Sequence, residues 1–117
     1  MGKLTTHVLD TAHGCPAAGM AVALYRLDGG GSTLLKEVSL NDAGRCAEPL
    51  LQGSALVAGR YRLLFAVADY FRARGAPLTD PPFLDRVPLD FGVADVEAHY
   101  HVPLLASPWS YATYRGS

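Results

Sequence analysis

Glycine and proline, 12 and 8 residues of the chain, interrupt the sequence about every eight to twelve residues, and the apolar runs between them are short. That rhythm leaves little room for packed helices and favours a sandwich or barrel of short strands. Leu4 to Leu9 reads as a first strand, with Thr5, His7 and Leu9 on one face and Leu4, Thr6 and Val8 on the other. Met20 to Leu27 is a second strand after a loop bracketed by Pro16 and Gly19. The turn Gly29-Gly30-Gly31 leads to a third near Leu34 to Leu40. Asn41-Asp42-Ala43-Gly44 is turn chemistry, and Gly44 suits a left-handed backbone.

The clearest strand runs from Gly59 to Val67. Tyr61, Leu63, Phe65 and Val67 make one apolar face, and Arg60 and Arg62 begin the other. Asp69 to Arg74, closed by Gly75, reads as a short helix with Asp69 near its N-cap. Phe83 to Val93 alternates again, with Val87, Leu89, Phe91 and Val93 facing one way. Pro88 inside it marks an edge strand. His99 to Leu105 and Ser110 to Arg115 complete an all-β sandwich with one short helix.

With 117 residues, the chain has room for one domain, residues 1–117, and one core. Half of the residues are hydrophobic and 18% are charged, a globular composition. Ten basic residues against eleven acidic ones give a net charge of -1 without a basic run. No nucleic-acid partner and no anionic membrane is expected on that account. Met1 to His7 has no apolar segment of the secretory kind, and no run approaches a membrane span. Cys15 and Cys46 lack CxxC spacing and read as reduced thiols of a cytoplasmic protein.

Several polar residues sit where the strand pattern does not ask for them. His7 interrupts the first strand. His99 and His101 share one strand face, while Tyr100, Val102 and Leu104 take the other. Arg45 follows a glycine turn. Each of these alone reads as an ordinary surface residue, as does His13 in its loop. The chain end is different: Trp109, Tyr111 and Tyr114 keep a strand-like pattern where a chain end is ordinarily polar and poorly ordered. Such an end is expected to pair in a sheet.

Four ordered segments carry a resemblance: Leu4-Thr5-Thr6-His7-Val8-Leu9-Asp10, Asn41 to Cys46, His99-Tyr100-His101-Val102-Pro103-Leu104-Leu105, and Ser107-Pro108 through Tyr114-Arg115-Gly116-Ser117. Together they resemble the 5-hydroxyisourate hydrolases, the transthyretin-related enzymes of urate breakdown, over nearly the whole chain. The Tyr-Arg-Gly-Ser ending separates these enzymes from the carrier transthyretin. Ser110 and Ala112 depart from the family pattern, which more often has glycine and a hydroxyl residue there.

The resemblance implies a transthyretin-like (prealbumin-like) fold, a two-sheet β-sandwich of about eight strands with one short helix, and a homotetramer with sites between subunits. It implies no cofactor and no obligatory metal. It also implies catalytic roles for His7, Arg45 and His101, substrate contacts from His7, Arg45 and Tyr114, and a site shaped by Arg115, Gly116 and Ser117. These residue types suit the implied ring opening. Histidine exchanges protons near neutral pH, and a guanidinium beside it disfavours its protonated form while stabilising an oxyanion. The Ser117 carboxylate is expected to orient Arg45 or a histidine. Two other readings stand beside this one: a non-catalytic small-molecule carrier, and a zinc hydrolase using His7, His99 and His101.

Overall fold

The computed structural model describes all 117 residues. Nine strands form two sheets. β1 (Lys3–Asp10), β2 (Cys15–Pro16), β5 (Leu51–Gln52), β8 (His99–Ala106) and β9 (Tyr111–Thr113) make the first. β3 (Ala21–Asp28), β4 (Gly31–Ser39), β6 (Gly59–Phe65) and β7 (Val87–Val93) make the second, in the order β4-β3-β6-β7. The expected sandwich is therefore present, with β2 and β5 as two-residue additions. A single α-helix, α1 (Val67–Ala73), follows β6 directly, and one 3-10 turn spans Gly53–Ala55.

Inward-facing residues of both sheets build one core. Leu4, Val8 and Leu104 meet Leu24, Tyr61, Leu63 and Phe65, all fully buried. The alternation expected on β1 holds: Leu4, Thr6 and Val8 point inward, and Thr5 and His7 are half-exposed. Thr6 can be buried because its hydroxyl donates to the Val102 carbonyl at 2.7 Å. β7 lies at the edge of its sheet, as Pro88 requires.

Several boundaries differ from expectation, and β9 is shorter than the expected Ser110 to Arg115. Val67 opens the helix rather than ending a strand, because an apolar alternation cannot distinguish a strand's last residue from the first buried residue of a helix. Ala66 occupies the N-cap, and Asp69 lies inside the first turn, where its charge suits the positive helix end. β7 starts at Val87, leaving Phe83 exposed in the preceding irregular segment. The expected turns form at Gly29, Gly30 and Gly44, all at positive φ, but Gly31 already belongs to β4, which begins three residues before the expected Leu34.

One pairing positions everything that follows. β1 and β8 run parallel, with Lys3 opposite His99, Thr5 opposite His101 and His7 opposite Pro103. The outward faces of these two strands therefore merge into one surface.

Candidate active site

His7, at the centre of β1, bridges to Arg45 through the backbone. The loop that presents Arg45 is held from within. The Asn41 side-chain oxygen accepts from the Ala43 N–H at 2.9 Å and the Arg45 N–H at 3.1 Å. Gly44 adopts φ +72°, and a Cβ there would lie 2.4 Å from the Val8 carbonyl oxygen. Only glycine lets the loop approach β1 this closely. The His7 Nε2 lies 2.9 Å from the Ala43 carbonyl oxygen. A carbonyl only accepts, so neutral His7 carries its proton on Nε2 and leaves Nδ1 with a free lone pair.

His101 sits on β8 with its Nδ1 2.8 Å from the Thr5 hydroxyl, and His99 Nε2 lies 2.7 Å from the same oxygen. The chain end crosses over His101. The Gly116 N–H donates to the His101 carbonyl at 2.8 Å, and a Cβ at Gly116 would fall 2.5 Å from the imidazole Cδ2. The tail pairs as expected, through β9 and then through this bridge.

These elements enclose an open cleft of about 420 Å³, walled mainly by Lys3, Thr5, Arg45, Glu48, His99 and His101, with Ser117 at its rim. Its electrostatics favour neutral imidazoles. Partial burial lowers the pKa of His101 below its ordinary value, and Arg45, His99 and His7 add to the effect. His7 is lowered first by burial and then by Arg45, against an opposing hydrogen bond to Ala43. His99 is lowered by burial and by Lys3. The Arg45 charge thus disfavours protonation of both His7 and His101.

The sequence-selected residues do not all meet in this cleft. Tyr114, 61% exposed, lines a neighbouring depression with Tyr100, Leu89 and Phe91, and the two hollows share only His101. The Arg115 guanidinium stacks on the Tyr100 ring, 4.4 Å from its centre. The Ser117 carboxylate forms no ion pair with Arg45 or a histidine. No three His, Cys, Asp or Glu side chains converge as a metal-ligand group.

Two features escaped the sequence reading. Thr5 joins two histidines, a contact that depends on the parallel register of β1 and β8. Asp10 is fully buried at the inner end of β1. Its carboxylate accepts from the Tyr70 hydroxyl at 2.8 Å and the His13 N–H at 2.9 Å, and lies 2.6 Å from His13 Nδ1. His13 is a partly exposed turn residue, as expected, and its ring also packs against Phe71.

The fold, and this cleft beside the parallel strand pair, match a known group of proteins. Residues 4–116 fit the model of the HIUase/Transthyretin family. The chain belongs to the HIUase/Transthyretin family. It is 60% identical over 117 residues to the 5-hydroxyisourate hydrolase of Ralstonia nicotianae, covering all of both chains. The structure of the Klebsiella pneumoniae 5-hydroxyisourate hydrolase superposes over all of both chains with a TM-score of 0.82 at 33% identity. Sea bream transthyretin, solved with thyroxine, gives a TM-score of 0.87 at 27% identity, over 97% of this chain and 94% of that one. Members of the HIUase/Transthyretin family thus include a hydrolase and a ligand-binding protein on one sandwich, so the cleft must decide between them.

Proposed function

We propose that residues 1–117 form a single catalytic domain that hydrolyses 5-hydroxyisourate to 2-oxo-4-hydroxy-4-carboxy-5-ureidoimidazoline. The observation carrying this reading is the polar cleft itself, in which Arg45 stands among imidazoles held below their ordinary pKa. A carrier of an apolar ligand gains from apolar walls. This cleft offers a guanidinium, two histidines and a threonine hydroxyl. The identity to the Ralstonia enzyme points the same way.

In the ring opening, water forms a bond to a lactam carbonyl carbon and loses a proton. The carbonyl oxygen gains negative charge, and the C–N bond then breaks as the ring nitrogen takes up a proton. His101 removes the proton from water, since its lowered pKa keeps it unprotonated near neutrality. Arg45 donates to the substrate carbonyls and stabilises the oxyanion. His7, with Nδ1 free, orients substrate or relays protons. Ser117 shapes the cleft wall, Gly116 packs against the His101 ring, and Tyr114 and Arg115 shape the hollow beside it. Tyr114 reaches substrate once a neighbouring subunit closes the two hollows into one channel.

The reading includes a homotetramer. β7 and β9 are outer strands of their sheets and flank the Tyr114 hollow together, with Trp109 and Tyr111 exposed nearby. Analytical ultracentrifugation at micromolar concentration would show a tetramer, and a monomer at all concentrations would remove this part. No helix is long and apolar enough to cross a membrane. A cytoplasmic setting accords with the free thiols of Cys15 and Cys46.

The test is the ultraviolet decay of 5-hydroxyisourate, made in situ from urate, with and without the protein. Acceleration that survives chelation supports the reading. Decay at the uncatalysed rate, with saturable binding of apolar ligands, would establish the carrier instead.

A further inference from the structure

The Thr5 hydroxyl lies 2.7 Å from His99 Nε2 and 2.8 Å from His101 Nδ1. It has one proton and can donate it to only one of the two rings. If it donates to His99 Nε2, it must accept from His101 Nδ1–H, and His101 then presents an unprotonated Nε2. If it donates to His101 Nδ1, His101 carries its proton on Nε2, and His99 must donate from its own. At least one ring must therefore donate to the hydroxyl, and the first of these arrangements is the one that leaves His101 Nε2 open to water.

The geometry points to a proton relay in which Thr5 and His99 serve His101 as positioning residues for the hydrolysis proposed above. The step balances. His101 Nε2 takes the proton that water loses as its oxygen bonds to carbon. The His101 Nδ1 proton moves to Thr5 Oγ1, and the proton Thr5 held moves to His99 Nε2. His101 ends neutral with its proton on Nε2, ready to protonate the departing ring nitrogen, and the positive charge rests on His99. Running the chain backwards restores the starting arrangement.

The surroundings favour moving the charge outward. His101 is half-buried beside Arg45 and His7, which oppose a second positive charge. Burial and Lys3 also disfavour charge on His99, but it is exposed and faces one cationic neighbour where His101 faces Arg45, His99 and His7, so water solvates the imidazolium better there. The rings lie 6.0 Å apart at 57°, out of stacking, as two groups turned toward a shared partner would be. The arrangement follows from the fold: Thr5 stands opposite His101 in the parallel ladder, one side-chain position along the same face from the Lys3–His99 pair.

This inference rests on the hydrolase reading, so its test has an arm that does not use activity. In substrate-free protein, side-chain nitrogen NMR should find His101 and His99 both protonated on Nδ1. Thr5→Val, which removes the hydroxyl and little else, should abolish that preference, and Thr5→Ser should restore it. In turnover, Thr5→Val should lower kcat at least about tenfold with KM little changed, and Thr5→Ser should recover it. His99→Ala should cost a similar factor, and the double variant no more than either single one. A proton inventory in mixed light and heavy water should show more than one proton in flight for wild type and one for Thr5→Val.

Unchanged tautomers in Thr5→Val, additive losses in the double variant, or wild-type turnover in either single variant would each overturn the relay. Should Thr5→Val fail to fold, the wild-type tautomers and His99→Ala decide alone. A wild-type protein that opens no ring would refute the hydrolase reading, and NMR would still decide whether Thr5 sets the tautomers.

Discussion

Strand β1 carries two polar groups that could hardly be more different. On its outward face, Thr5 joins Arg45, His99 and His101 around an open cleft, and His7 stands beside it, bridged to Arg45 through the backbone. At its inward end, Asp10 is sealed by Tyr70 and His13, each of its carboxylate oxygens engaged. Both groups contain a histidine close to an oxygen partner. What differs is whether the partners use up the chemistry. A fully satisfied buried network holds elements together, and an open one near water can bind and react. The Asp10 knot ties the end of β1 to α1 through Tyr70.

The electrostatics follow the same division. Burial alone would raise the Asp10 carboxyl, but hydrogen bonds from Tyr70 and His13 together hold it below the ordinary range. Tyr70 is pushed up by burial and by its bond to Asp10. The knot thus favours a charged carboxylate and a protonated phenol, whereas the cleft favours neutral imidazoles.

The comparison can be broken by substitution, beginning with the largest effect. Gly116→Ala places a methyl group against the His101 ring, and displacing that imidazole should lower kcat by up to about 10²-fold while the urea midpoint barely moves. A variant with wild-type turnover would show that the tail does not set the ring's position. Asp10→Ala should do the reverse. It strands the buried Tyr70 hydroxyl, which costs about 1–3 kcal/mol in chemical denaturation, and leaves turnover per folded molecule near wild type. An equal loss of turnover would mean that knot and cleft are one unit.

A finer test uses pH. Because the folded Asp10 pKa is depressed, its contribution is complete above the unfolded value near 3.8 and disappears as pH falls through the folded one. Wild-type stability minus that of Asp10→Ala should therefore shrink on acidification in that range; a constant difference would contradict the charged knot. The smallest effect belongs to Arg45→Gln in substrate-free protein. Burial continues to depress His7 and His101, but loss of the guanidinium charge should move both NMR titration midpoints upward, toward 6.5. Unmoved midpoints would take Arg45 out of the group's electrostatics.

The legible parts of this molecule were those governed by local periodicity. The two-residue repeat placed His99 and His101 on one face and Leu4, Thr6 and Val8 on the other, and turn chemistry located Gly44 and the loop before Arg45. What stayed hidden depends on partners distant in sequence. Thr5 gains its importance from a parallel pairing with residues more than ninety positions away, which no local pattern encodes. Asp10 was missed because a charged residue at a strand end reads as the start of a loop, although it continues the inward alternation of β1. Val67 and the helix start were blurred for a related reason, since one buried apolar residue fits either element. Tyr114 shows the limit from the other side. Family likeness assigned it to the site, whereas within one chain it lies in the adjoining hollow.

The most direct test of the open cleft is His101→Asn, assayed for 5-hydroxyisourate decay at a folded concentration matched to wild type by its unfolding curve. The account predicts that kcat falls by about 10²–10⁴-fold with the urea midpoint nearly unchanged. Turnover within a few-fold of wild type would contradict it.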